Sequence, residues 1–128
     1  MLQKLSYLTL ADASGAGWIC AYHLYGGSWR KVVGCGGFVK AAIKAVAFFP
    51  LRIRGKRYRP LRKGFRVRGL VVHTTQMSRF LDNTRCAFQA NTAVLLKRRG
   101  IFKSKYVYGP LPRLIRRKRY QAMFKAFI

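Results

Sequence analysis

The chain has 128 residues, of which 51% are hydrophobic, so it can enclose the core of one modest domain and is not a disordered tail. It has 27 Lys and Arg residues but only two acidic residues, Asp12 and Asp82, which gives a net charge of +25. So few carboxylates exclude paired-carboxylate hydrolysis, an acidic Ca²⁺ or Mg²⁺ site and most acid–base enzymes. Because uncompensated positive charges repel one another, we expect the protein to bind a polyanion, above all a nucleic acid. We do not expect it to be an enzyme.

The first predicted elements are a short strand, a turn and a second strand. Residues 7–10 alternate in polarity, and Asp12 to Gly15 combine side chains that bond the local backbone with a glycine that tolerates positive φ. Aromatic and branched residues dominate 18–25, which predicts a strand. Strict alternation gives this strand two faces, Trp18, Cys20, Tyr22 and Leu24 on one and Ile19, Ala21, His23 and Tyr25 on the other.

Residues 38–49 fit two structures. Read with period two, they form one apolar face, with Lys40 and Lys44 on the other; read as a helix, the two lysines again share a face. The glycine-rich entry at 34–37 and the strand-like neighbours favour a long strand.

A basic arm is predicted at 51–68, which holds nine basic residues in eighteen and no acid. Gly55, Pro60 and Gly64 preclude a long regular helix, so we expect an extended arm or loop that presents cations to phosphates. Arginine predominates here, which favours bidentate phosphate contacts.

The second half of the chain predicts two more strands and a helical end. Residues 67–74 and 92–96 are the strands, with a loop at 75–85 that turns at Asp82 and Asn83. A second basic loop follows at 97–105, and 113–127 has the pattern of one or two short amphipathic helices. We therefore predict a mainly β domain over 1–128: a small five-stranded antiparallel β-barrel at about 5–96, then a basic loop and a helical region at 97–128.

Neither metal binding nor membrane insertion is expected. Cys20 and His23 have the spacing of half a zinc site, but Cys35 and Cys86 supply no matching second pair, so we expect no metal and no cofactor. The most apolar stretch, 41–51, is far shorter than the ~20 residues that a membrane span requires.

The candidate RNA-binding residues are basic side chains spread over the predicted strands, loops and C-terminal region: Arg30, Lys31, Lys40, Lys44, Arg52, Arg54, Lys56, Arg57, Arg59, Arg62, Lys63, Arg66, Arg68, Lys97, Arg98, Arg99, Lys103, Lys105, Arg116, Arg117 and Arg119. Trp29 and Tyr58 adjoin basic residues and are candidates for stacking on unpaired bases, with packing on the barrel or on the aliphatic parts of arginine side chains as the alternative.

Six segments, in order, resemble the universal family of large-subunit ribosomal protein fourteen. They are 8–16, 24–28 with Arg30 and Lys31, 34–36, 63–64 with 70–74, 91–96 and 106–111, the last reading Tyr-Val-Tyr-Gly-Pro-Leu. The resemblance covers about 5–128 and implies a five-stranded barrel that is a structural constituent of the large ribosomal subunit. A non-specific basic protein that compacts DNA or RNA is the alternative.

The resemblance also implies a location and partners. Proteins of this family lie on large-subunit rRNA at the face that meets the small subunit, help to form bridges to small-subunit rRNA, and adjoin the large-subunit ribosomal protein nineteen. The family is also the docking site of a silencing factor that prevents subunit joining.

This chain departs from the family pattern by losing acids. Gly37 and the pair Gln89-Ala90 stand where the family has acidic residues, and the C-terminal region lacks glutamates. Loss of these acids argues against factor docking, whereas it favours RNA contact. Acid loss together with extra Cys, Phe and Tyr favours a mitochondrial ribosome in the matrix over a plastid or bacterial cytoplasmic one.

Overall fold

Nine strands and one short helix make up the regular structure of the computed structural model, which describes residues 1–46, 61–80, 82–97, 100–115 and 118–128, without the side chain of Arg119. The elements are β1 (Leu2–Gln3), β2 (Tyr7–Leu10), β3 (Ala16–Leu24), β4 (Val32–Val33), β5 (Phe38–Val46), β6 (Arg66–His73), β7 (Ser78–Arg79), β8 (Arg85–Cys86), β9 (Thr92–Leu96) and α1 (Lys118–Gln121).

Five of these strands close into a barrel in the order β2-β3-β5-β6-β9, which confirms the predicted five-stranded barrel. Four neighbouring pairs are antiparallel, whereas β2 and β9 are parallel, so the prediction of an all-antiparallel barrel was wrong for the closing pair. The reason is geometric: strand direction cannot alternate around a closed ring of five, and one pair must run the same way.

The barrel interior is filled by alternating large and small side chains. Leu8, Ile19 and Ile43 are fully buried there, and they are accommodated because Ala21 and Ala41 are small. Gly69 also faces this interior: a Cβ at that position would lie 3.3 Å from Val39 Cγ2 and 3.6 Å from Ala93 Cβ. A five-stranded barrel is too narrow for large residues at every inward position.

A second apolar core lies on the outside of β6 and β9. Their outward residues, such as Leu70 and Val94, pack with Phe102, Tyr120 and Phe124 from the C-terminal part of the chain. The ring centroids of Phe102 and Tyr120 are 5.1 Å apart. Because β6 and β9 are covered on both faces, their sequences are continuous apolar runs rather than alternating ones.

His73 attaches the C-terminal segment to the barrel. Its Nε2 lies 2.7 Å from the Pro110 carbonyl oxygen and its Nδ1 lies 2.7 Å from the Thr92 hydroxyl, while its ring packs on Phe88. Burial lowers the pKa of His73, and the Pro110 hydrogen bond partly opposes that shift. In the neutral ring, Nε2–H donates to Pro110 and Nδ1 accepts from Thr92.

Two local predictions are corrected. Strict alternation fails in β3 after Tyr22, because a register shift between Ala21 and His23 leaves His23 exposed beside Tyr22 and places Leu24 in the core with Ala21. Among the described residues of 113–127, the only helix is α1, and the segment is held mainly by its apolar side chains and by a bridge between Leu111 and Phe127.

The other predicted strands are present. The ambiguous stretch at 38–49 contains β5, and the strand at 92–96 coincides with β9. The Asp82–Asn83 turn is present, with Asn83 at φ 62°. Residues 51–60 of the predicted basic arm lie outside the described residues. No helix in the described segments is both long and apolar enough to cross a membrane.

Candidate nucleic-acid interface

A basic cleft of about 530 Å³ lies on the outer surface where β5, β6 and β9 meet. Strand register builds it: Lys40 of β5 is directly opposite Arg68 of β6, and Arg66 follows on the same face two residues away. Its lining consists of Tyr22, Lys40, Arg66, Val67, Arg68, Leu95, Leu96, Lys97 and Lys103. Five cations therefore border one open cleft, and none of its described lining residues is acidic.

An aromatic ring lies beneath two of these cations. Lys40 Nζ is 5.4 Å and Arg68 Cζ is 5.9 Å from the centroid of the Tyr25 ring, both within cation–π range. The edge of His23 meets the same ring, with centroids 5.6 Å apart. By attracting both cations, the ring holds two like charges on adjacent strands in neighbouring positions.

The opposite wall of the cleft carries two lysines that repel each other. Burial lowers the pKa of Lys103, the positive charge of Lys97 lowers it further, and the charge of Asp12 opposes both effects. The lowered pKa of Lys103 therefore reflects mainly its partial burial, and a bound anion would favour the charged form of both lysines.

Both acidic residues of the chain are engaged in local structure. Asp12 is buried, with Oδ2 accepting the Leu95 N–H at 2.7 Å and Oδ1 accepting bonds from the hydroxyl and N–H of Ser14. Burial raises the pKa of Asp12, although these hydrogen bonds and Lys103 act in the opposite direction. Asp82 accepts a bond of 2.9 Å from the Thr84 hydroxyl in an exposed turn. The net charge of +25 already includes both carboxylates, so its compensation is left to external anions.

A second basic cleft, of about 440 Å³, surrounds Trp29. The Trp29 side chain is 92% exposed, which excludes its alternative role of packing on the barrel and leaves its face free to stack. Arg30 and Lys31 also line this cleft, together with Lys4, which is not among the candidates chosen from the sequence. The Arg30 Nε donates to the Val32 carbonyl oxygen at 3.2 Å, which fixes the direction of that side chain.

The remaining predicted residues fall into two groups. Lys44, Arg62, Lys63 and Lys105 are exposed, and Lys105 borders a smaller cleft beside Lys97 and Lys103. The others lie outside the described residues, as does the side chain of Arg119: Arg52, Arg54, Lys56, Arg57, Tyr58, Arg59, Arg98, Arg99, Arg116 and Arg117.

Three of the four candidate zinc ligands, Cys20, Cys35 and His23, contact different groups. The Cys20 thiol faces the Leu5 carbonyl oxygen at 3.6 Å, Cys35 contacts the Thr74 hydroxyl at 3.4 Å, and the His23 ring meets an aromatic ring. No group of three or more potential metal ligands occurs in the described segments.

Sequence reasoning missed the tyrosines of the basic cleft. Tyr22 borders it and Tyr25 supports its cations, although both had been assigned to the second strand. The alternating pattern could show that Tyr22 shares a face with Trp18, but it could not show which face points outward. The structural signal is the exposure of Trp18 and Tyr22, which identifies their face as the outer one.

Comparison with known proteins finds similarity over nearly the whole chain. The sequence profile described as "Ribosomal protein L14p/L23e" matches residues 1–126. A protein of Tetrahymena pyriformis named large ribosomal subunit protein uL14m is 31% identical over 124 residues, which is 97% of this chain and 97% of that protein.

Proposed function

Since this chain belongs to the ribosomal protein L14p/L23e family, we propose that it binds large-subunit rRNA through the basic cleft of β5, β6 and β9 and the cleft around Trp29. The chain is a structural constituent of the large ribosomal subunit and not an enzyme. Its location is the mitochondrial ribosome, as its similarity to a uL14m protein indicates.

The observation that carries the RNA proposal is the convergence of five cations on one cleft whose described lining has no acid. A solvated protein surface normally intersperses both signs of charge. Here Lys40 and Arg68 are adjacent across a strand pair, and the Tyr25 ring beneath them holds two like charges side by side. Such a pair of cations suits the closely spaced phosphate groups of RNA, and the arginine side chains suit bidentate contacts.

The subunit-interface partners are proposed on the resemblance. Contacts with small-subunit rRNA, and thus intersubunit bridges, require cations exposed away from the large-subunit RNA, and Lys44, Arg62 and Lys63 are exposed beyond the basic cleft. Contacts with ribosomal protein nineteen and with a silencing factor are proposed in the same way. Gly37 stands where the family has an acidic residue. A Cβ at this position would lie 2.0 Å from Val33 Cγ2, so an acidic side chain would fit here only if the buried Val33 moved.

The test is salt-dependent binding of the purified chain to large-subunit rRNA. For each phosphate that the protein neutralises, the logarithm of affinity should fall by about 0.7–0.9 per log unit of salt. Arg66→Gln with Arg68→Gln should weaken binding. It should also reduce the salt slope by about 0.7–0.9 for each phosphate that is no longer bound. Arg85→Gln with Lys125→Gln removes the same charge from exposed positions outside the cleft and is the matched control.

The outcome in the ribosome is measured by gradient sedimentation of tagged chains, with and without ribonuclease. The cleft variant should leave the large-subunit fraction while the control variant remains there. Equal sedimentation of both variants would refute the role of the cleft. Binding of duplex DNA as tight as that of rRNA, in direct competition, would instead support the non-specific compacting protein.

A further inference from the structure

Three aromatic side chains form an exposed strip on the outer face of β2 and β3. Tyr7 is 57% exposed, Trp18 is 51% exposed and Tyr22 is 39% exposed. Tyr7 lies directly opposite Cys20, which is two residues from Trp18 and two from Tyr22 along β3. Tyr7 is therefore the diagonal neighbour of both, and the three side chains lie on one face of the sheet.

The C-terminal residues cover a different part of the barrel. They pack on the outward side chains of β6 and β9, such as Leu70 and Val94, and among the described residues this second core includes no outward side chain of β3. An exposed aromatic is common singly, but three contiguous ones on a sheet face are typical of a surface that meets a partner.

The strip runs directly into the basic cleft, because Tyr22 belongs to both. Tyr22 lines the cleft together with Lys40, Arg66 and Arg68. A sheet face that combines aromatic rings with a row of cations is the arrangement by which proteins bind single-stranded nucleic acid, since the rings stack on bases and the cations follow the backbone.

We propose that the strip of Tyr7, Trp18 and Tyr22 stacks on unpaired bases of RNA whose phosphates lie along Lys40 and Arg68. This inference rests on the proposed function and specifies the form of RNA that the cleft takes. Diagonal neighbours on a sheet are about 7–8 Å apart, whereas successive nucleotides of a duplex strand rise by about 3.4 Å. Each ring therefore receives a base from an extended strand, and a stacked duplex offers no such bases.

A protein partner is the competing occupant, because tyrosine, tryptophan and arginine are also enriched in protein interfaces. RNA is favoured by the continuity of the strip with a cleft bordered by cations. A protein would have to bring several carboxylates to that cleft while covering the rings.

Tryptophan fluorescence gives a direct test, since Trp18 and Trp29 are the only tryptophans of the chain. In a Trp29→Phe background, Trp18 reports alone. The probes are a ten-nucleotide single-stranded RNA, the duplex of the same length, and an abasic strand with the same number of phosphates. The single strand should quench Trp18, whereas the abasic strand should bind, as followed by anisotropy of an end label, without quenching.

Substitution then measures the contribution of the rings. Trp18→Ala should weaken binding of the single strand about 5- to 150-fold, the range for loss of one base stack, and leave the salt slope unchanged. Trp18→Phe should restore much of that loss, which separates stacking from damage to the fold. Tyr106→Ala removes an aromatic that is 70% exposed outside β2 and β3, and it should bind as the unaltered chain does.

The outcomes separate this inference from the proposed function. If Trp18→Ala keeps its affinity for the single strand while Arg66→Gln with Arg68→Gln loses it, stacking is refuted and rRNA binding stands. If Trp18→Ala binds RNA normally but fails to enter the large subunit, the strip contacts a protein and the inference is overturned. If the unaltered chain binds none of the probes or rRNA, both proposals fail.

Discussion

Replacing Asp12 by alanine should destabilise the fold far more than replacing Asp82, although both changes remove one negative charge. Asp12 is buried and accepts the Leu95 N–H at 2.7 Å, linking the end of β2 to β9, and it also accepts bonds from Ser14. Alanine leaves the Leu95 N–H buried without its partner, which costs about 1–3 kcal/mol, and the loss of the Ser14 bonds brings the total to about 2–4 kcal/mol.

The assay is urea unfolding followed by tryptophan fluorescence. Asp12→Ala should lower the midpoint on the order of 1–2 M urea with an unchanged slope. Asp82→Ala removes one hydrogen bond in an exposed turn and should change the free energy of unfolding by less than about 0.5 kcal/mol. Equal losses in the two variants would refute the reasoning, because the common cause would then be the added net charge.

Two further predictions concern packing and pH. Gly37→Ala should lower the free energy of unfolding, measured with heat or urea, by about 1–3 kcal/mol, because its Cβ would lie 2.0 Å from Val33 Cγ2. Gly34→Ala is the control for an added methyl, since no atom lies within 4 Å of its Cβ. Equal effects at the two glycines would contradict the steric reasoning. Because burial lowers the pKa of His73, the unfolded chain takes up a proton first as the pH falls. Stability should therefore be constant above about pH 7.5 and decrease below about pH 6.5, by at most about 1.4 kcal/mol per pH unit, and His73→Asn should abolish that decrease in urea titrations from pH 5 to 8.

The barrel could be predicted because its strands and turns depend on residues that are close together in the sequence. The strand at 92–96 is a short run of apolar and branched residues after a loop, and Gly15 ends the first turn at φ 85°, a conformation that glycine adopts readily. For the lysine-containing stretch that contains β5, periodicity fits both a strand and a helix, and the glycine-rich entry and the strand-like neighbours favour the strand.

The site could be predicted only as a set of charges. Composition identified Lys40, Arg68 and Lys97 as phosphate-binding candidates, but strand order decides that they share one cleft, and that order depends on pairings between distant residues. Bulges are equally non-local, because the register shift that buries Leu24 arises from the pairing of β3 with β5. The parallel closing pair could have been deduced from the odd strand number alone.

That closing pair has a consequence for biosynthesis. β2 cannot gain its second neighbour until β9, more than eighty residues later in the chain, has left the ribosome that makes it. Until then β2 and β6 present bare edges in a nascent polypeptide of high contact order, a condition that slows folding and invites aggregation. A fragment that stops before Thr92 should therefore accumulate as insoluble material rather than as a smaller folded domain.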